Sequence, residues 1–214
     1  MSQQGIVLGR IRGIPIRLRW SFLFLLGFVF LTAGGFGGVF AVAVAFASIV
    51  LHELGHATVA QHLGVRIAAI DLHFLGGAAQ MIDPPRSPRD EIAISIAGPA
   101  VSLALAGIGL GLGGALGVSF LVMVGWINLV LGLFNLIPAL PMDGGRILRA
   151  AMVRRLGYIR ATDTAIVVSR VFVVLFAIGG IFLGSLQLVL LAGLLWMMGS
   201  AERRAAYMMW RPIW

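Results

Sequence analysis

His52, Glu53 and His56 share the string HELGH within an otherwise apolar stretch, ASIVLHELGHATVAQHLG, residues 47–64. On a helix the two histidines are four positions apart, so their rings lie one turn from each other on one face and can chelate a single metal ion. Glu53 follows the first His by one residue, close enough to take a proton from a water activated there without becoming a ligand itself. The chemistry that fits this spacing is metal-assisted hydrolysis. A hydrogen-bonded polar cluster is the plain alternative. At membrane depth, however, an ionisable group costs about 3 kcal/mol or more. No Arg lies within the stretch, and a metal ion supplies the partner that two His and one Glu would need.

A catalytic zinc commonly takes three protein ligands and keeps a fourth position for water. The chain has no Cys, and six of its eight acidic residues lie in or beside Arg-bearing segments, which leaves Glu53 and Asp143. Asp143 sits in FNLIPALPMDGGR, residues 134–146, where Asn135, Pro138 and Pro141 interrupt an apolar run. Proline removes a backbone donor and breaks helices, and irregular backbone at membrane depth is tolerated only where protein buries it or a wet cavity is lined. Gly144 and Gly145 would let the backbone turn tightly beside a ligand. Taken alone, Asp143 reads as a helix cap for the segment from Ile147 onward; beside HELGH it reads as the third ligand, with zinc the expected metal at one ion per chain.

The elements that must position these groups are set by composition. The 214 residues are 60% hydrophobic and 11% charged. A bilayer span needs about 20 mostly apolar residues, and six candidate runs are present, near 20–34, 39–63, 92–112, 118–139, 165–183 and 186–200. All 16 basic residues are Arg, at 10–19, 66–89, 146–170 and 203–211, which are alternate connections between those runs and the two ends of the chain. The intervening loops, 33–38, 113–119 and 184–187, carry no charge. Basic residues gather on the cytoplasmic side, so six spans with both termini inside satisfy every Arg. The net charge of +8 is then a topology signal. Nucleic acid is not an expected partner, because the Arg residues are dispersed among loops and form no single stripe.

Spans two and four run in the same direction in this scheme, which places HELGH and Asp143 in their cytoplasmic halves. Counted back from Gly64 at about 1.5 Å per residue, His56 lies roughly 12 Å and His52 roughly 18 Å inside the helix end. His62 and His73 fall near the cytoplasmic boundary, where a solvated His is ordinary, and neither is assigned to the metal. GIGLGLGG, 107–114, lacks the Lys and the strand-to-helix context of a phosphate loop; Gly107 and Gly111, four apart, predict close helix packing. A secretory signal is not expected at the first span, since no clear A-x-A site follows Leu31.

Together HELGH and N-x-x-P-x-x-x-x-D-G, here Asn135 to Gly144, resemble the paired signature of the site-2 protease family of intramembrane zinc metalloproteases. The similarity extends to GIPIRLRW (13–20), FLGGAAQ (74–80) and IAGPAVSLAL (96–105). The resemblance implies an all-α polytopic membrane protein of about six transmembrane helices, in a prokaryotic cell membrane, built as one intramembrane metalloprotease domain over 1–214 with no CBS or PDZ module evident. It implies His52, His56 and Asp143 as zinc ligands, Glu53 as catalytic acid and base, and Asn135 in substrate or oxyanion contact. A hydrogen bond from Asn135 to an oxyanion would be worth about 3 kcal/mol; a structural role in the broken helix is the alternative.

The expected substrate is a transmembrane protein or peptide, whose own helical amides shield the scissile bond until it unwinds. RIAAIDLHFLGGAAQMID, 66–83, predicts a small membrane-associated β-hairpin between helices two and three, turning at Gly76 and Gly77. Its free edge could pair with an extended substrate segment, or the hairpin could only close the site. A membrane zinc carrier is the competing reading. A carrier is expected to line both leaflets with polar groups and often to carry inverted repeats, whereas HELGH has no counterpart in the second half. Oligomeric state is left open.

Overall fold

The computed structural model describes residues 5–32, 35–73 and 76–209. In chain order the elements are β1 (Gly5–Ile11), β2 (Ile14–Arg19), α1 (Trp20–Thr32), α2 (Gly35–His62), β3 (Ile67–His73), β4 (Gly76–Met81), α3 (Pro88–Leu116), α4 (Ser119–Asn135), α5 (Asp143–Leu156), α6 (Tyr158–Phe182) and α7 (Leu186–Met209). Helix dominates, and α2, α3 and α6 are each long and apolar enough to cross a membrane; α1 and α4 are shorter apolar helices. Two compact units emerge. One holds the described residues up to Pro85 together with Ala97–Leu133, the other Arg86–Ile96 together with the described residues from Phe134 onward.

In the first unit the expected hairpin proves to be half of a four-stranded sheet of order β1-β2-β3-β4. β1 and β2 pair antiparallel, β2 and β3 parallel, β3 and β4 antiparallel. The basic stretch from Arg10 to Arg19 had masked two strands. In β2, IPIRLR, Ile14, Ile16 and Leu18 alternate inward and are buried, while Pro15, Arg17 and Arg19 point to the other face. This period-two pattern is the mark of a sheet with one covered face. The inward residues pack with Phe22 of α1, Phe46 and Ala57 of α2, and Ile70 and Leu72 of β3. On the other face Asp71 is buried and its carboxylate accepts hydrogen bonds from Arg19 and from Gln80.

Two glycine expectations need correction. Gly76 and Gly77 are not the turn of the hairpin: they open β4, opposite His73 and Leu72, and the connecting residues 74 and 75 lie outside the described residues. Gly107 and Gly111 meet nothing. The helix-packing pair is Gly109 and Gly113, also four apart but displaced by two, where a Cβ would strike Gly125 and Val122 of α4 at 2.7–2.8 Å. The spacing signalled a close seam, but in a run with a Gly at almost every second position the register was ambiguous.

In the second unit, α3 begins at a legible cap. Ser87 Oγ accepts the amide of Asp90 at 3.2 Å, Pro88 occupies the first helical position, and Asp90 and Glu91 complement the helix dipole. Arg149 of α5 is buried and bonds Glu91 through two guanidinium nitrogens and Glu202 of α7 at 3.0 Å. Such a network is expensive to leave half-made, since removing one partner of a buried pair costs about 3–5 kcal/mol. It therefore fixes α5 against the start of α3 and against α7. Ala139, Met142, Val173, Ala192 and Leu195 form one apolar cluster of this unit, and Leu140, Ala165 and Ile166 another.

Candidate metal centre

The first unit holds the histidine pair. His52 and His56 are buried on α2, and their Nε2 atoms are 3.1 Å apart. Two nitrogens bound tetrahedrally at about 2.0–2.1 Å from one zinc would be separated by roughly 3.3 Å, so the pair stands close to the spacing that a shared ion requires. Gly98 of α3 faces it. A Cβ at this position would overlap His56 Nε2 and stand only 2.7 Å from His52 Nε2. Gly98 therefore packs directly against both rings, at a contact that only a residue with no side chain allows. On the far side of the first ring, His52 Nδ1 lies 2.9 Å from Ser102 Oγ. Gly55, the glycine of HELGH itself, lets α3 approach: its Cβ would meet Ala97 O at 2.8 Å and Val101 at 3.0 Å.

Glu53 is partly buried, and its Oε2 accepts the backbone N–H of Ala79 at 3.0 Å. That amide belongs to β4, the outer strand of the sheet. Gly77, two residues before, packs so tightly that its Cβ would fall 2.7 Å from Ile49 and 3.2 Å from Glu53 Cγ. The glycine expected to make a turn is thus required for close approach of β4 to the HELGH helix.

The second unit presents Asp143. It is buried at the first position of α5, and Met142 before it is the N-cap residue, with no side-chain capping bond. Asp143 is therefore not the cap, although its charge favours the helix N-terminus. The broken segment before it folds back on the first turn of α5. Ala139 N–H bonds Ile137 O at 2.7 Å, Met142 N–H bonds Ala139 O at 2.9 Å, and Leu140 N–H is held by Ser169 Oγ at 2.7 Å. A Cβ on Gly144 would overlap the carbonyls of Leu136 and Ile137, and one on Gly145 would stand 2.8 Å from Ala139 O. Both glycines permit backbone-to-backbone contact and neither has a positive φ. Asn135 is the last residue of α4 and partly buried.

Each of His52, His56 and Asp143 can offer one atom to a metal ion, a ring nitrogen or a carboxylate oxygen. His62 is exposed and bonded through Nδ1 to Thr58 O, in keeping with its exclusion. His73 ends β3 and is half-buried; desolvation and the nearby Arg19 hold its imidazole below the usual range, opposed by Asp71 and Glu53. Sequence reasoning missed Gly98 and Ser102, which lie four apart on one face of α3 as the histidines do on α2. IAGPAVSLAL carried that signal, since a Gly and a Ser at i and i+4 clear and polarise one stripe of an otherwise aliphatic helix.

A sequence model described as Peptidase family M50 matches residues 39–118 and 114–179. A zinc metalloprotease of Methanocaldococcus jannaschii is 37% identical over 210 residues, covering 94% of this chain and 60% of that protein. Rip3 of Mycobacterium tuberculosis, provisionally named a zinc metalloprotease, is 35% identical over 178 residues, covering 72% of this chain and 45% of its own length. The chain thus spans between 45% and 60% of these curated relatives. Among solved structures, a site-2 protease from Methanocaldococcus jannaschii matches with a TM-score of 0.73 at 33% identity, covering 94% of this chain and 95% of that one.

Proposed function

The chain belongs to Peptidase family M50, the site-2 protease family, and from this premise we propose that it is an intramembrane zinc metalloprotease that hydrolyses a peptide bond within or near a transmembrane segment of its substrate. The observation that carries this reading is the buried His52–His56 pair, its Nε2 atoms 3.1 Å apart and packed closely by Gly98. His52, His56 and Asp143 hold one Zn2+ per chain. When bound, zinc supplies a Lewis acid that polarises a carbonyl and makes water nucleophilic near neutral pH. Glu53 takes the proton of the attacking water and passes it to the leaving amine. Asn135 donates a hydrogen bond to the oxygen on which negative charge develops, or else stabilises the end of α4. The catalytic machinery is one intramembrane domain over 1–214, with six spans and both termini in the cytosol.

The test uses purified wild type and Asp143→Ala in lipid. Zinc content and cleavage of a helix-destabilised transmembrane peptide are expected to fall together in the variant, because a ligand has been removed. Zinc flux into proteoliposomes without peptide cleavage by the wild type would instead establish a carrier.

The orientation follows from the Arg partition. A cysteine replacing Gly114 is expected to react with an impermeant thiol reagent from outside intact cells, and one replacing Arg89 only after permeabilisation. Labelling of Arg89→Cys in intact cells would sink the six-span scheme. The outer strand β4 is the place where an extended substrate segment would add to the sheet, since strand edges pair with peptides through their free backbone groups. Gly77→Val would drive a side chain into Ile49 and Glu53, so cleavage of a transmembrane peptide should drop while zinc content holds. Unchanged cleavage would dismiss strand pairing at this edge.

A further inference from the structure

Ser102 stands at a position where an aliphatic side chain would suit the helix. It is fully buried in α3, and its Oγ lies 2.9 Å from Nδ1 of His52, on the opposite side of the ring from the Nε2 that meets His56. An imidazole that gives up a lone pair at Nε2 must carry its proton on Nδ1. A proton buried there needs an acceptor, and a serine hydroxyl is one. Ser102 has little freedom to move away: Gly132 of α4 packs so closely that a Cβ on it would stand 3.3 Å from Ser102 Cβ. Gly98, one turn earlier on the same face of α3, packs against the Nε2 atoms of the pair.

We propose that Ser102 is a positioning residue for the metal centre: its hydroxyl accepts the Nδ1–H of His52, fixes the ring in the tautomer whose Nε2 carries the lone pair that ligates, and sets the rotation of that ring toward His56. The proposal rests on the reading of His52 as a ligand. Groups of this kind, one bond removed from a metal, typically govern about 10- to 100-fold in metal affinity. One turn of α3 thus meets one histidine pair twice, through the close contact at Gly98 and the hydroxyl of Ser102.

Purified full-length protein in detergent tests this, with zinc affinity measured by competition against a chromophoric chelator. Ser102→Ala is expected to weaken zinc binding by about 10- to 100-fold, and Ser102→Thr, which keeps the hydroxyl, to restore it. Ser48→Ala is the control: Ser48 lies one turn before His52 on the same face of α2, and its hydroxyl is engaged by Asn128 Nδ2 at 2.9 Å. Its affinity should match wild type. Two further measurements separate positioning from general stability. The rise in melting temperature on adding zinc, taken from each protein's own metal-free value, should be smaller in Ser102→Ala than in wild type, and the visible spectrum of the Co2+ form should change with the ring's orientation. Wild-type affinity in Ser102→Ala, or equal weakening in Ser102→Thr, overturns the role of the hydroxyl and leaves the metal site standing. Failure of the wild type itself to bind zinc overturns the ligand assignment and this inference with it.

Discussion

Glu53→Gln is expected to keep zinc at wild-type content while peptide cleavage falls by about 10²- to 10⁴-fold or more, the usual worth of a positioned acid and base. The substitution is unusually clean here. Gln retains a carbonyl oxygen that can still accept the Ala79 amide, which Glu53 Oε2 now accepts at 3.0 Å, so the side chain keeps its length and its anchor to β4 and loses only its basicity. Metal analysis and single-turnover cleavage of a transmembrane peptide by the purified variant decide the outcome. Cleavage at the wild-type rate would remove Glu53 from the chemistry.

Gly98→Ala is expected to disable the site without replacing any of the proposed ligands. The new methyl would overlap His56 Nε2 and reach within 2.7 Å of His52 Nε2, whereas real carbon contacts lie at about 3.5 Å. One of the rings must turn away by roughly 1 Å, a displacement that costs about 10²-fold in catalysis, and zinc affinity should fall with it. Gly107→Ala in the same helix is the comparison, because a Cβ there meets nothing within 4 Å and Ala favours helix over Gly by about 1 kcal/mol. Zinc titration and cleavage on both variants distinguish a steric effect at the metal from a general loss of helix packing. Wild-type zinc affinity in Gly98→Ala would show that the contact at Gly98 does not bear on the metal.

The parts of this arrangement that sequence made legible are those governed by local spacing. HELGH states its own geometry because i and i+4 share a helix face, and the break before Asp143 is written in Pro138 and Pro141. The start of α3 at Pro88 lies four residues before the apolar run near 92 from which it was expected, because its first turn is polar. What stayed hidden depends on partners distant in the chain. β1 and β2 were obscured by Arg10, Arg12, Arg17 and Arg19, whose charges suggested a loop, although Ile14, Ile16 and Leu18 alternate as a strand should. Gly77 has an ordinary turn-former's identity, and only the proximity of Ile49 and Glu53 reveals that its value lies in lacking a side chain. Ser102 and Gly98 acquire meaning only when α3 is laid beside α2.

The parallel pairing of β2 with β3 carries a constraint on biogenesis. Ile16 to Leu18 align with Ile70 to Leu72, and among the described residues the elements between β2 and β3 are α1 and α2. Two strands can share a hydrogen-bonded ladder only from the same side of a bilayer, so the number of crossings made by α1 and α2 together must be even. α2 is long enough to cross; α1, with 13 residues, spans about 20 Å of helix and would not be counted on length alone. If α2 crosses, parity obliges α1 to cross as well. The sheet would then act as a proofreader of insertion: a chain threaded with only one of the two helices strands Ile14, Ile16 and Leu18 away from their partners and cannot complete the ladder.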